Sequence, residues 1–243
     1  PPPTPSPEFE PPAAFHVEAL RYGTSSYPRA LATREPGPST LTLDWACYLI
    51  TAGGSRVLVD AGIGEPEVAR RWGLEDYRSP VELLSDLALV PQDIDIVVLT
   101  HEHFDHVGTL AAFDNATIVL QERAWAALPY LDHFTLLDET LLRAGSAGRL
   151  RRVEGDEEIA RGVRVVHTGG HTLGSQAVLA EDGIGRLHVF PGDECYTRTA
   201  CEQGLPLPET VAADPAANRA FLKTLARWVS EGAVVHPLHD TAP

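Results

Sequence analysis

An apolar strand that runs straight into a cluster of histidines and an aspartate constrains this chain more than any other feature of it. Residues 94–100 read IDIVVLT, a short run apolar enough to be buried on both faces. The next residues read HEHFDHVG, which puts His101, His103, Asp105 and His106 at the strand's exit. Such groups are costly to desolvate unless something pairs with them. Imidazole and carboxylate are ligands of zinc and other first-row divalent metals. While the segment stays extended, His101 and His103 fall on one side, because side chains repeat every two residues. A turn near Asp105 would then present Asp105 and His106 to a second position. The spacing is not that of a zinc-protease helix, since Glu102 lies between two histidines rather than inside HExxH.

Three later segments carry the same chemistry: GGHTLGSQ around His171, PGDECY around Asp193, and HPLHD ending at Asp240. Each alone reads as easily as a polar loop. Together they supply a third histidine for one ion, a carboxylate able to bridge, and a final histidine for a second ion. His236 and His239 both compete for that last place.

The rest of the pattern mixes strands and helices. Residues 40–50, TLTLDWACYLI, read as a strand or hairpin edge before a turn at Gly53 and Gly54, and residues 56–64 as a strand entering a glycine-containing loop. Ser79 can cap a helix with Pro80 at its first position and Glu82 completing a capping box, and Leu83, Leu84 and Leu87 as its buried stripe. Residues 107–113 open another helix, and 117–120 form a strand. Further strands are expected at 163–166, 176–179, 187–190 and 233–235. Asp214 caps a last long helix whose apolar side is Phe221, Leu222, Leu225 and Trp228. Residues 130–160 give only a vague loop and hairpin pattern. Many strands lack a following helix, so two sheets covered by helices fit better than one doubly wound sheet. The Pro-rich opening, residues 1–15, reads as an extended tail before a single domain over 16–243. It has neither the basic start nor the apolar centre of a signal peptide.

Charge and cysteine content restrict the partners. Nineteen basic against 34 acidic residues give a formal charge of −15, which argues against a broad nucleic-acid face. Bound cations can still reverse the sign locally. No apolar run is long enough to cross a membrane. Cys47, Cys195 and Cys201 cannot all pair within the chain and suggest no disulfide framework, so a reducing, cytoplasmic setting is expected.

On these motifs the chain resembles the metallo-β-lactamase superfamily, and within it the N-acyl-homoserine lactonases, over about residues 40–240. The family's HxHxDH is matched by His101, His103, Asp105 and His106. The resemblance implies an α+β four-layer αββα sandwich with a two-metal site at one sheet edge. It implies His101, His103 and His171 at one ion, Asp105, His106 and His239 at the other, and Asp193 between them. His239 is taken over His236 because His239–Asp240 matches the family's terminal pair, although PLHD stands where related lactonases often have glycine before it. Tyr196 falls where the lactonases place a tyrosine near the substrate carbonyl and leaving oxygen, and Phe104 where an aromatic lines the substrate side. Cys195 is expected to pack behind the site rather than act as a nucleophile.

The cofactors so implied are two divalent metal ions, zinc (Zn2+) first among them. The expected reaction opens a lactone to a hydroxy acid by attack of a hydroxide held between the ions. Asp105 and Asp193 are its catalytic carboxylates, and Tyr196 donates to the developing oxyanion. Competing readings are another metal-dependent acyl hydrolase (thioesterase, amidase or β-lactam hydrolase), phosphoester or iron-dependent oxygen chemistry, and a metal-stabilised binding domain without catalysis. The expected partner is a small-molecule lactone or related acyl substrate, with no nucleic acid and no membrane. The N-terminal tail could reach a second copy and make a homodimer. Trp45, Trp72, Tyr77, Trp125 and Tyr130 could supply apolar walls.

Overall fold

Alternation along the strands sorts the apolar side chains into separate cores. In the computed structural model, which describes residues 15–130 and 135–241, Val57 and Val59 enter one core and Leu58 another. Val97 and Val98 part in the same way, as do Leu179 and its neighbours Val178 and Ala180. Successive side chains leave a strand on opposite sides, so a strand covered on both faces feeds two cores.

The first sheet consists of β1 (His16–Pro28), β2 (Thr40–Ala52), β3 (Ser55–Val59), β4 (Ile96–Val98), β5 (Thr117–Gln121) and β6 (Leu150–Val153), side by side in that order. The second contains β7 (Glu157–Ala160), β8 (Val163–His167), β9 (Gln176–Glu181), β10 (Leu187–Phe190) and β11 (Val234–Val235), ordered β11-β10-β9-β8-β7. Strand side chains such as Tyr48, Ile50, Val98, Val119, Val165 and Phe190 fill the space between the sheets. On the outer face of the first sheet lie α2 (Pro66–Arg71), α3 (Pro80–Asp86), α4 (Phe104–Val107), α5 (Glu122–Ala127) and α6 (Thr135–Ser146), which contribute Ala69, Leu84, Val107, Ala124 and Leu141. The short α1 (Arg29–Ala32) adds Ala32 to a small cluster with Leu43, Tyr196 and Leu207. Against the second sheet, α7 (Arg198–Gln203) and α8 (Pro215–Ser230) bury Ala200, Phe221, Leu222 and Leu225. The result is the expected four-layer αββα sandwich.

Strands β3 to β6 run parallel, so the loops after them open on one edge. Gln176, fully buried at the start of β9, ties the second sheet to that edge. Its backbone N–H donates to Thr100 O at 2.8 Å and its side-chain amide to Leu99 O at 2.7 Å. Gly108 closes the histidine segment against the loop after β3. A Cβ there would stand 2.3 Å from Gly64 N and 2.6 Å from Gly62 O, so only glycine allows the approach.

Several local expectations need correction. The expected strand and its turn at Gly53–Gly54 are present as the β2–β3 hairpin, but a 13-residue β1 that was not expected pairs along the other side of β2; it buries little beyond Leu20, Tyr22 and Ser25, and so gives a weak apolar signal. The helix expected at 107–113 starts earlier, inside the histidine segment at Phe104, and only a 3-10 turn follows at Leu110–Ala112. Within the stretch read as loop and hairpin, α6 takes 135–146 and only β6 and β7 after it are strands, which enter different sheets; Leu142 on α6 is exposed beside buried Leu141, which blurs its stripe. The capping box of Ser79 and Glu82 is present, but only Leu84 of the expected stripe is fully buried and Leu87 is exposed. Cys195 and Cys201 form a disulfide, which leaves Cys47 as the free, buried thiol among the described residues. Two of three cysteines can pair, and the first turns of α7, capped by Thr197, bring Cys201 back to Cys195. That pairing removes the ground for expecting a reducing compartment. All of the expected tail but Phe15 lies outside the described residues.

Candidate metal centre

Four loops at the shared edge bring seven ligand-type side chains together. His103 is the extended residue before α4, so His101 and His103 precede the helix while Asp105 and His106 lie in its first turn. His171 comes from the loop between β8 and β9, Asp193 from the turn after β10, and His239 from the segment after β11. They fall into two groups, His101 with His103 and His171, and Asp105 with His106, Asp193 and His239; within each the ligand atoms lie inside 4.8 Å of one another. In the first group His103 Nδ1 is 3.0 Å from His101 Nε2 and 3.1 Å from His171 Nε2. Asp193 joins the groups. Its Oδ1 lies 3.4 Å from His106 Nε2 and 3.3 Å from His239 Nε2, whereas its Oδ2 faces His101 Nε2 at 4.0 Å and His171 Nε2 at 3.7 Å.

In His106, His171 and His239 a partner on Nδ1 accounts for Nε2 pointing inward. His106 Nδ1 is 2.8 Å from Asp60 Oδ2, and Asp60 also accepts from Thr100 N at 2.7 Å and Thr100 Oγ1 at 2.8 Å. His171 Nδ1 meets Val211 O at 3.1 Å, and His239 Nδ1 meets Asp44 O at 2.9 Å. With those acceptors, the proton of a neutral ring sits on Nδ1 and the Nε2 lone pair is left for a cation. Tyr22 donates its hydroxyl to Asp105 O at 2.9 Å and so anchors the helical turn from below.

Electrostatics divide the groups. Burial holds His101 well below the usual imidazole range, and burial pushes His171 down to about 4, so both rings are neutral. Burial also opposes protonation of His106 and His239, but the carboxylates around them win. Asp105, Asp193 and Asp60 raise His106 far above its ordinary value, and Asp193 with Asp105 raises His239. Burial works against ionised Asp193 too, yet His106 and His239 hold it well below the usual carboxylate range. This half of the centre therefore calls for positive charge.

The donors fit divalent ions. His106 Nε2 and Asp193 Oδ1 are buried and make no well-formed hydrogen bond. Neutral imidazoles and ionised carboxylates are the forms that bind metal. The nitrogen separations near 3 Å in the first group approach the edge of a tetrahedron with bonds of about 2.0–2.1 Å.

Residues 46–199 match the family model of the metallo-beta-lactamase superfamily. The chain belongs to that superfamily. It is 30% identical over 190 residues to an N-acyl homoserine lactonase of a Bacillus species, covering 72% of this chain and 73% of that one. It is 29% identical over 188 residues to the N-acyl homoserine lactonase of Bacillus cereus, with 72% and 73% covered. Among solved structures, an N-acyl homoserine lactone hydrolase with N-hexanoyl-L-homoserine at its metal centre superposes with a TM-score of 0.78 at 22% identity, covering 94% of each chain. That superposition shows that the fold is shared.

A cavity of about 430 Å³ opens beside the two groups of this superfamily member. Tyr27, Leu43, Trp45, Trp72, Phe104 and Tyr196 form its walls, and no Lys or Arg lines it among the described residues. Tyr196 is buried with its ring 5.0 Å from that of His239 and 6.2 Å from that of His171. Burial and then the Asp193 carboxylate raise its phenol well above the ordinary value, so the hydroxyl keeps its proton. Phe104 stacks on Trp72 at 4.8 Å, and buried Trp45 meets His239 edge to face at 5.1 Å. Of the other aromatics, Tyr77 bonds Ile63 O and Trp125 lies under Arg152, both away from the cavity. The side chain of Tyr130 lies outside the described residues. His236 stands apart from the metal groups, with its Nε2 2.9 Å from His188 Nδ1 and its ring stacked on Phe190. Cys195 packs in the core under α8. Sequence reasoning missed Asp60, Tyr22 and the carbonyl of Asp44. An acid directly after a buried strand and before a glycine, as in VDAG, was the available signal for the first.

Proposed function

We propose that this protein is a two-metal hydrolase that opens lactones, with His101, His103 and His171 holding one ion, Asp105, His106 and His239 the other, and Asp193 bridging. The observation that carries this reading is the Asp193 carboxylate, whose two oxygens face the two ligand groups separately. The similarity to N-acyl homoserine lactonases over nearly three quarters of both chains supports the choice of substrate. Nitrogen and oxygen donors without thiolate suit zinc, which we take as the metal.

Two bound ions would supply a water of lowered pKa and Lewis-acid polarisation of a carbonyl. The chain's own groups then divide the work. Tyr196, protonated and directed toward Asp193, donates a hydrogen bond to the oxygen that gains charge as the ring carbonyl becomes tetrahedral. Asp193, ionised at rest, is the carboxylate placed to take the proton released as water adds to the carbonyl and to return it to the ring oxygen as the C–O bond breaks. Trp45, Trp72 and Phe104 cover the acyl side and exclude water there. Among the described residues no Lys or Arg lines the cavity, so a phosphodiester would have the ions alone to hold it, whereas the apolar aromatic walls suit a neutral lactone.

The test is a product assay on purified protein loaded with zinc. It should release one acid equivalent per ring opened from at least one lactone class, and a chelator should stop turnover. Efficient cleavage of a thioester or β-lactam with no lactone turnover would refute the substrate and leave the hydrolase. Full activity with a single ion would refute the bridged mechanism.

A further inference from the structure

The residue after the bridging aspartate is a fully buried glutamate that the proposed chemistry does not use. Glu194 Oε1 accepts three hydrogen bonds, from Thr168 Oγ1 at 2.7 Å, Gly170 N at 2.9 Å and His171 N at 3.1 Å. Its Oε2 accepts from Asn218 Nδ2 at 2.6 Å, and Asn218 itself is fully buried on α8. Asn218 also donates to Glu194 O at 2.9 Å and accepts from Leu207 N at 3.0 Å. A glutamate is seldom buried this completely, and here every donor that satisfies it is neutral. Three of those four donors belong to the loop that carries His171.

The fit leaves no slack. A Cβ on Gly170 would stand 2.3 Å from Glu194 Oε2 and 2.6 Å from Asn218 Cα. Beyond the glutamate, the loop is tied to the segment before α8, where Asp214 N donates to Gly170 O at 3.0 Å and Ala213 N to His171 O at 3.1 Å. On its other side Thr172 Oγ1 donates to Glu102 Oε2 at 3.0 Å, inside the first histidine segment.

We propose that Glu194, clasped by Asn218, is a positioning residue that fixes the His171 loop and so sets the ion site of His101, His103 and His171. Its consequence for the ion rests on the two-metal reading above. Adjacent residues thus face opposite ways: Asp193 looks into the centre, and Glu194 looks back and holds a ligand of the neighbouring ion. Removing the carboxylate strands buried donors, which costs far more than the bonds gained on folding.

The experiment uses Glu194→Gln in the full chain. With Oε1 kept toward the loop, the new amide NH2 faces Asn218 Nδ2, donor against donor. Zn2+ is titrated stepwise against a chromogenic chelator, and His171→Ala and His239→Ala proteins assign the steps. Affinity at the His171 step should fall roughly ten- to a hundredfold, with the other step unchanged. In metal-free protein, amide hydrogen exchange at Gly170 and His171 should speed by about tenfold or more, with β9 unaffected. Thr168→Val should show a smaller change in the same direction and Thr168→Ser should restore wild-type behaviour; this pair carries the test if Glu194→Gln does not fold. Wild-type exchange and wild-type affinity in a folded Glu194→Gln protein would overturn the proposal, as would equal weakening of both steps. A wild-type protein that binds fewer than two ions would refute the two-metal reading instead, because the exchange experiment needs no metal.

Discussion

Asp60→Asn should weaken the ion held by Asp105, His106 and His239 and leave the ion at His101, His103 and His171 nearly untouched. The substitution preserves shape, and asparagine tolerates the left-handed backbone, φ 64°, that Asp60 adopts. Only the donor pattern changes. The amide oxygen can replace Oδ1 toward Thr100 N, 2.7 Å away, but the NH2 then faces His106 Nδ1 at 2.8 Å. A donor at that place favours the ring with its proton on Nε2, the nitrogen that faces Asp105 at 3.3 Å and Asp193 at 3.4 Å. The flipped amide instead sets NH2 against Thr100 N–H, leaving two buried donors opposed. Partners of this kind behind a metal ligand are worth about 10- to 100-fold in affinity, or about 1.4–2.7 kcal/mol. Stepwise Zn2+ titration against a chelator, with circular dichroism to check folding, measures it. A folded variant that binds both ions with wild-type affinity would refute the tautomer argument.

Tyr196→Phe should retain both ions and slow lactone opening by about 5- to 150-fold, the equivalent of about 1–3 kcal/mol of lost transition-state hydrogen bonding; a change confined to KM would mean ground-state binding only. His239→Ala should remove one ion by metal analysis, whereas His236→Ala, whose ring packs on His188 and Phe190, should keep both; the reverse order overturns the assignment. Burial, with His188 and Arg198 adding to it, pushes His236 down to about 3, so the folded protein keeps the ring neutral while the unfolded chain protonates it below about pH 6.5. Its contribution is therefore complete above that pH and is lost as pH falls toward 3, at about 1.4 kcal/mol per pH unit. Urea unfolding of metal-free protein at pH 7 and pH 5 should show a shallower pH dependence in His236→Gln, and equal slopes would contradict the sign.

That these seven side chains gather was legible in sequence because ligand chemistry admits few residue types, and four of the seven fall between His101 and His106. The other three were each ambiguous as loop residues, and only their complementarity singled them out. What lay hidden depended on long-range pairing. Asp60 reads as the polar end of an ordinary strand, and it reaches His106 only because β3 and β4 run parallel and end together. Glu194 is equally anonymous, since its four donors come from residues 168–171 and from α8. The fold was legible where both faces of a strand are apolar, as in β4, and illegible where one face is solvated, as in β1. The Cys195–Cys201 bridge was missed because an odd cysteine count does not say which two the chain folds together, here a residue before α7 and one on it.

Neither ligand group belongs to a single sheet. His101 and His103 follow β4 of the first sheet, while His171 leaves β8 of the second; Asp105 and His106 likewise meet Asp193 and His239 from the other side. Ions bound there would rivet the two halves of the sandwich at its open edge. Because only the closed sandwich offers the complete ligand sets, metal concentration enters the folding equilibrium itself. Free metal at a hundred times the dissociation constant of one site would add about 2.7 kcal/mol to its stability. Metal supply would thereby set how much of the protein stays folded as well as how fast it turns over.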